Sequence, residues 1–168
     1  LTSDIVVTTG GVSVGDYDFV QDVIKDKLKA EVLFHGVNLK PGMHILLALK
    51  DNKIIVALPG FAYSSTVCAM LYVLPLIYKF RNSNEKLPLV KARINQDFSR
   101  FQAKTIFTAC NVEYKNGEYQ INFDGKKSGT SAILTNMLES PALLIQKENS
   151  KNIKAGDLVD ILLLNNLK

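Results

Sequence analysis

A glycine-rich turn between an apolar run and a helical pattern constrains the fold of this chain more than any other feature. Residues 5–7 are apolar, and the sequence TTGGVSVGDYD follows from Thr8 to Asp18. Between Phe19 and Leu28, apolar residues recur at the spacing of a helix. A strand, a glycine-rich turn and a helix in this order present backbone N–H groups to an anion. The segment therefore predicts an α/β fold with an anion-binding loop.

The residue types within this turn suit a phosphorylated ligand. Gly10, Gly11 and Gly15 permit backbone angles and close approaches that other residues disfavour. Ser13 adds a hydroxyl donor. A plain strand-to-helix turn is the alternative interpretation of a single glycine pair.

Two acidic residues make this loop unusual for an anion site. Asp16 and Asp18 would repel a phosphate unless a cation lay between them, which suggests a hard metal such as Mg²⁺. The alternative is local: Asp16 as a helix N-cap and Asp18 as an early carboxylate that complements the helix dipole.

Residues 1–82 alternate strand-like and helix-like segments, which predicts a largely parallel sheet with ligands beyond its carboxyl edge. The glycine loop, an LKPG turn at 39–42 and an LPG turn at 58–60 each follow a strand-like run, so the three turns are expected to meet at that edge. The predicted strands are 5–8, 31–37, 44–49 and 53–58, and the predicted helices are 19–28 and 64–80.

Residues 81–88, RNSNEKLP, are polar and rich in turn formers, so the domain boundary is predicted after residue 82. Short β-rich runs separated by Asn-Gly, Asp-Gly and Ala-Gly turns follow it, which predicts a small antiparallel β-barrel over 83–168. The predicted barrel strands are 90–94, 104–112, 118–123, 142–146 and 158–164, with one helical turn at 133–138.

Composition excludes several classes of protein. The 168 residues are 47% hydrophobic and 21% charged, with a net charge of +4 and no block of like charges, so neither disorder nor a nucleic-acid-binding surface is indicated. No run reaches the ~20 apolar residues of a membrane helix. Cys68 and Cys110 match no metal or redox spacing, which favours free thiols in a reducing, cytoplasmic compartment.

Several motifs occur together in this chain: TTGGVSVGDYDFV (8–20), LKPG (39–42), LPG (58–60) followed by Ser64, SAILTNMLESPALLI (131–145) and AGDLVDILLL (155–164). The chain resembles the molybdopterin molybdenumtransferases, which comprise the MoeA proteins and the E domain of gephyrin and insert molybdate into adenylylated molybdopterin. The resemblance implies a partial MogA/MoeA-like three-layer domain with a mostly parallel sheet over 1–82, then a C-terminal β-barrel domain. It also implies that a long N-terminal portion precedes Leu1 in the whole protein.

The resemblance assigns roles to particular residues. Asp18 matches an acid used near Mg²⁺ and the nucleotide, and Lys40 matches a lysine that supplies positive charge to molybdate or phosphate. Both are expected to be catalytic, with Asp18 also a magnesium ligand. The expected cofactor-binding residues are Gly10, Gly11, Ser13, Gly15, Pro41, Gly42, Pro59, Gly60 and Ser64.

Departures from the family pattern leave fewer positively charged side chains at the expected oxyanion site. Gly36 stands where many members have a second lysine, and Met43 replaces the lysine of KPGKP. The asparagine and second proline of PGNP are also absent. His35 and His44 could compensate, although a half-buried polar histidine is the alternative for each.

The resemblance implies an enzyme that uses Mg²⁺ and takes molybdate and adenylyl-molybdopterin as substrates. It also implies a homodimer in the whole protein and a molybdopterin adenylyltransferase as a partner, with no nucleic acid or membrane. Two alternatives stay open: a related phosphate-binding domain with another reaction such as adenylylation, and a degenerate paralogue or scaffold that binds molybdopterin or a protein without inserting metal.

Overall fold

The computed structural model describes residues 3–13, 15, 18–99, 103–126, 134–138, 141–150 and 152–164. The chain divides into two compact units, Leu1–Ser83 and Asn84–Lys168.

The first unit contains five strands and two helical stretches within the described residues. The strands are β1 (Ile5–Thr9), β2 (Glu31–His35), β3 (Leu39–Lys40), β4 (Leu46–Lys50) and β5 (Lys53–Leu58). The first helix begins as α1 (Val20–Asp22) and continues as a π-helical segment, Val23–Lys27. The long helix consists of α2 (Ala62–Cys68), a π-helical segment (Ala69–Val73) and α3 (Leu74–Phe80).

Four of these strands form one mixed sheet in the order β1-β5-β4-β2. Only β1 and β5 pair in parallel; β4 is antiparallel to both β5 and β2. The expected three-layer domain with a mostly parallel sheet is therefore not confirmed in that form. The physical reason is the tight turn at Asp51-Asn52, whose φ angles of +50° and +61° join β4 and β5 as a hairpin, which is necessarily antiparallel.

The two faces of this sheet pack against different helices. One face packs against the first helix and is called the first-helix face. It carries Leu46, Ala48, Ile55 and Ala57, which form a buried cluster with Ile24 of the first helix. On the opposite face, called the long-helix face, Val56 and Leu58 form a second cluster with Cys68 and other residues of the long helix. This alternation follows from the two-residue period of a strand, which directs successive side chains to opposite faces.

A β-bulge interrupts the pairing of β2 with β4. Val32 lies opposite Ala48, but Phe34 lies opposite Leu47 and His35 opposite Leu46, so Leu33 is an extra residue in β2. Because one inserted residue shifts the alternation, Val32 lies on the first-helix face and Phe34 on the long-helix face. The next residue, His35, returns to the first-helix face.

The long helix, Ala62–Phe80, is long and apolar enough to cross a membrane by length and composition alone. A helix in a hydrophobic core meets the same criterion. In this structure Cys68, Ala69 and Tyr72 pack against the long-helix face of the sheet, and 28% of the helix's most apolar window is buried.

In the part of the second unit that the structure describes, five strands form a closed barrel. These are β6 (Leu89–Ile94), β7 (Thr105–Lys115), β8 (Glu118–Asn122), β9 (Pro141–Gln146) and β10 (Leu158–Leu163). They pair in the order β7-β8-β6-β10-β9, and β9 pairs back with β7 to close the ring. The barrel is confirmed, but it is not wholly antiparallel because β6 and β8 run in parallel. A 3₁₀ turn lies at Leu134–Met137, within the predicted helical turn.

Candidate functional site

The direction of the strands, more than their pairing, brings the three predicted turns to one edge of the sheet. β1 runs parallel to β5. β2 also runs in the direction of β5, because both are antiparallel to β4, which lies between them. The carboxyl ends of β1, β2 and β5 therefore lie at the same edge. The glycine loop, the segment leading to LKPG and the LPG turn leave the sheet there.

The glycine loop and the LPG turn are in backbone contact. The Gly10 N–H donates to the Leu58 carbonyl at 2.9 Å. A Cβ added to Gly60 would lie 3.3 Å from the Gly10 Cα, closer than most real contacts, and Gly10 itself has φ +83°. Both positions therefore require glycine, one for its conformation and the other for the close approach.

Two successive carbonyls of the glycine loop have fixed partners. The Gly11 carbonyl accepts from the Val20 N–H at 3.0 Å, where the first helix begins. The Val12 carbonyl lies 3.0 Å from Nε2 of His35, and the Val12 side chain is 1% exposed in the first-helix core. The loop is thus attached at one point to the first helix and at the next to β2.

Asp18 closes the far end of the loop. Its Oδ2 accepts from the Gly15 N–H at 2.8 Å, and its own N–H donates to the Gly15 carbonyl at 3.0 Å. The first helix begins two residues later at Val20, after the cap residue Phe19, so Asp18 precedes the helix. One carboxylate oxygen of Asp18 therefore has a local structural partner. Asp16 lies outside the described residues.

The LKPG turn is the tip of a loop that returns from β2 to β4. The Gly36 N–H donates to the Ile45 carbonyl at 2.8 Å, and the Val37 N–H donates to the Met43 carbonyl at 2.9 Å. Lys40 is exposed at the end of β3, whereas the two residues after it, Pro41 and Gly42, are buried. The Lys40–Pro41 peptide bond is cis.

Gly42 fixes the LKPG turn against the start of the long helix. Its φ is +107°, and an added Cβ would overlap the Cys68 sulfur and lie 3.5 Å from the Ser64 carbonyl oxygen. The Cys68 thiol donates to the Gly42 carbonyl with a sulfur–oxygen distance of 3.4 Å. Burial raises the pKa of this thiol to about 12, so Cys68 is a neutral packing residue. Ser64 and Pro59 are also buried.

The predicted site residues thus fall into two groups. A backbone hydrogen bond unites the glycine loop with the LPG turn, and the Cys68 thiol joins the LKPG turn to the long helix. Within the described residues, neither Asp18 nor Lys40 forms a salt bridge, and no three histidine, cysteine or acidic side chains cluster as metal ligands.

Sequence reasoning missed two positioning contacts. Cys68 is a lone cysteine in an apolar helix, and nothing in its sequence neighbourhood indicates that it meets Gly42. The sequence offers His35 as a source of charge or as a half-buried polar residue, but it does not indicate the bond to Val12, which depends on the bulge at Leu33. The left-handed glycines before and after Lys40, at Gly36 and Gly42, were the available signal for a tightly folded loop.

Comparison with known proteins gives three kinds of similarity. Residues 1–79 match the family described as a probable molybdopterin binding domain. A molybdopterin molybdenumtransferase of Staphylococcus aureus is 32% identical over 162 residues, and one of Staphylococcus epidermidis is 30% identical over 162 residues. Each alignment covers 95% of this chain, and the chain spans 38% of the length of each relative.

Solved structures show the same relationship. A molybdopterin biosynthesis moeA protein from Pyrococcus horikoshii OT3 matches with a TM-score of 0.65 and 25% identity, covering 96% of this chain and 35% of that protein. A molybdenum cofactor biosynthesis protein from Pyrococcus furiosus matches with a TM-score of 0.66 and 15% identity, covering 98% of this chain and 69% of that one. The second match supports the fold alone.

Proposed function

Since the chain is related along 95% of its length to the molybdopterin molybdenumtransferases, we propose that it forms part of an enzyme that inserts molybdate into adenylyl-molybdopterin. The observation that carries the proposal is the convergence of the glycine loop and the LPG turn, through Gly10 and Gly60, at the carboxyl edge of the sheet. Ligands of open α/β sheets bind beyond this edge.

The glycine loop would hold the pterin phosphate. Its Gly11 and Val12 carbonyls are bound by Val20 and His35, and in a trans peptide the next N–H points away from the carbonyl before it. The N–H groups of Val12 and Ser13 are thus directed away from those partners. Together with the Ser13 hydroxyl, these N–H groups can donate charge-assisted hydrogen bonds to phosphate oxygens.

Asp18 suits Mg²⁺ as a single carboxylate. Mg²⁺ in phosphate-transfer sites is held by one or two carboxylates plus substrate phosphates and water, so a cluster of three protein ligands is not required. Since the Gly15 N–H occupies Oδ2, the other oxygen of Asp18 would bind the metal. When bound, Mg²⁺ supplies charge stabilisation for cleavage of the adenylyl phosphate.

Lys40 would attract molybdate. It is exposed at the tip of a loop whose following two residues are buried, so its backbone is held while its ammonium group stays accessible. A divalent oxyanion requires cations or N–H donors when it leaves water. In this proposal Pro41 and Gly42 fix the position of the Lys40 backbone and make no contact with the oxyanion themselves.

A chimaera tests the proposal. This chain replaces the matching 38% of the Staphylococcus aureus relative, and molybdate-dependent formation of molybdenum cofactor is measured with adenylyl-molybdopterin. The unaltered relative is the positive control, and a chimaera carrying Gly11→Val is the negative control, because a Cβ there would already lie 2.8 Å from Val20 Cγ2. Activity well above that of the Gly11→Val chimaera supports the proposal. A folded chimaera that binds adenylyl-molybdopterin without forming cofactor would refute the enzymatic function.

That last outcome would favour the scaffold alternative, which one observation supports. Met43 and Phe61, which follow the LKPG and LPG turns directly, are 36% and 62% exposed. Both are apolar where the family pattern has polar residues. Such side chains suit contact with a partner or a flat ring better than binding of a free oxyanion.

A further inference from the structure

We infer that His35 is a positioning residue that sets the orientation of the Val12–Ser13 peptide in the glycine loop. The inference concerns the loop itself, and its consequence for ligand binding rests on the proposed function. The starting observation is the 3.0 Å contact between Nε2 of His35 and the Val12 carbonyl oxygen. A carbonyl only accepts, so the imidazole donates from Nε2, and the neutral ring is the Nε2–H tautomer.

The bulge at Leu33 makes this contact geometrically accessible. In a regular pairing that kept Val32 opposite Ala48, His35 would lie opposite Ile45 on the long-helix face, away from the loop. The inserted residue moves His35 opposite Leu46, and Leu46 belongs to the same buried cluster as Val12. Bulges often redirect a side chain next to a functional site, and this one directs an imidazole to the glycine loop.

The contact determines which groups of the loop are available to a ligand. Burial of the Val12 side chain does not by itself fix the direction of the Val12 carbonyl, because ψ of Val12 and φ of Ser13 set the orientation of the planar peptide between them. The imidazole fixes the Val12 carbonyl toward β2, and planarity of the peptide then directs the Ser13 N–H to the opposite side. Within the described residues, this N–H has no protein acceptor. His35 therefore keeps one backbone donor directed outward without contacting the ligand.

His35 also connects two of the predicted turns. The residue after it, Gly36, starts the loop that carries Lys40 and donates to the Ile45 carbonyl. A single side chain at the end of β2 thus relates the backbone of the glycine loop to that of the LKPG loop. Displacement of His35 would disturb the spacing of the proposed phosphate and oxyanion donors together.

Two substitutions separate the hydrogen bond from the size of the side chain. His35→Phe keeps a ring but has no donor, whereas His35→Gln keeps an N–H donor at a similar distance from the backbone. Glu31→Gln is the matched control, because Glu31 is exposed in the same strand and pairs with Leu49 outside the bulge. Circular dichroism and thermal unfolding of each variant establish that the fold is retained.

The first measurement needs no ligand. Nitrogen NMR of the 168-residue chain identifies the tautomer of His35, and amide hydrogen exchange reports the order of Val12 and Ser13. We expect the Nε2–H tautomer in the wild type. The amide shifts of Val12 and Ser13 should change in His35→Phe and stay close to the wild type in His35→Gln and Glu31→Gln. An Nδ1–H tautomer, or unchanged loop amides in His35→Phe, would overturn the inference whatever the chain binds.

The second measurement is the affinity for molybdopterin by calorimetry. One neutral hydrogen bond supports a weakening of about two- to tenfold in His35→Phe, with His35→Gln within about twofold of the wild type. Equal affinities of the Phe and Gln variants would contradict a donor role. If the wild type itself fails to bind molybdopterin, the proposed function fails, and the tautomer and loop measurements decide the inference about His35 independently.

Discussion

Gly42→Ala tests how tightly the LKPG turn is packed on the long helix. The substitution places a non-glycine residue at φ +107° and drives its Cβ into the Cys68 sulfur. An unfavourable backbone conformation costs about 1–3 kcal/mol, and overpacking of a dense core costs about 1–3 kcal/mol. We therefore expect the free energy of unfolding to fall by about 2–6 kcal/mol.

Two further variants divide this cost into its parts. Gly36→Ala is the matched control in the same loop, because Gly36 has φ +90° but its added Cβ would meet only the Met43 carbonyl oxygen at 3.6 Å. It should show the backbone cost alone, about 1–3 kcal/mol. Cys68→Ala removes the obstructing sulfur, so Gly42→Ala in that background should also lose only the backbone part. The double-mutant cycle should then give a coupling of about 1–3 kcal/mol.

The assay is urea unfolding followed by far-UV circular dichroism. The α-helices that the structure describes all lie in the first unit, so the helical signal reports that unit. Strictly additive effects of Gly42→Ala and Cys68→Ala would refute the overlap. A Gly36→Ala variant as unstable as Gly42→Ala would show that conformation alone explains the cost.

The remaining predictions concern charge and ionisation. In the chimaera, Asp18→Asn should lower cofactor formation strongly at limiting Mg²⁺ while molybdopterin binding persists, because Asn keeps an oxygen for the Gly15 N–H; near-normal turnover would leave Asp18 with its loop contact alone. Lys40→Ala should weaken the use of molybdate about ten- to a hundredfold, since a charge-assisted hydrogen bond contributes roughly 1.5–3 kcal/mol; superimposed molybdate titrations would place the oxyanion elsewhere. Burial raises the pKa of the Cys68 and Cys110 thiols from 9.0 to about 12, so iodoacetamide at about pH 8 should label them only after unfolding. Their contribution to the free energy of unfolding should decline as pH rises from 9.0 to about 12. Labelling of the native chain would contradict this. A hydrogen bond from Lys154 and a second from the backbone N–H of Ala155 lower the pKa of Asp97. The small stabilising contribution of Asp97 should therefore be present above its unfolded pKa and lost as pH falls through the lower folded pKa. An Asp97→Asn variant with an unchanged acid unfolding profile would argue against it.

Local signals predicted the elements of the first unit well but not the arrangement of its sheet. The run at 53–58 forms β5 with the predicted bounds, and the turn at Asp51-Asn52 forms where its residue types favour left-handed angles. The error lay in treating alternation of strands and helices as evidence for parallel pairing. The turn-forming pair Asp51-Asn52 between the runs 44–49 and 53–58 indicates a hairpin, and β2 adds beside β4 on the far side of it. Strand order depends on contacts between distant residues, which local patterns do not specify.

The candidate site shows a similar division. Gly10 and Gly11 are predicted to need the backbone freedom of glycine, and each has a positive φ. Gly42, expected from the resemblance to bind the cofactor, also has a positive φ. Gly15 does not, and its role is the close approach of Asp18, whose Oδ2 would lie 3.1 Å from an added Cβ. The orientation of His35 depends on a single unpaired residue in β2. The bulge leaves no mark in the pattern of burial, because exposed and half-buried residues alternate without interruption along β2.

The contact between Gly10 and Gly60 has a consequence for the evolution of this fold. The two residues are separated by almost fifty positions in the chain, yet a methyl group on Gly60 would press on the Gly10 backbone at 3.3 Å. A lineage that acquires alanine at Gly60 must shift the Gly10 backbone by a few tenths of an ångström, which would disturb the loop that follows it. Related sequences should therefore vary at these two positions jointly, with changes at one accompanied by insertions or substitutions around the other. Independent drift at either position would mark a branch in which the loop has ceased to be under selection for its ligand.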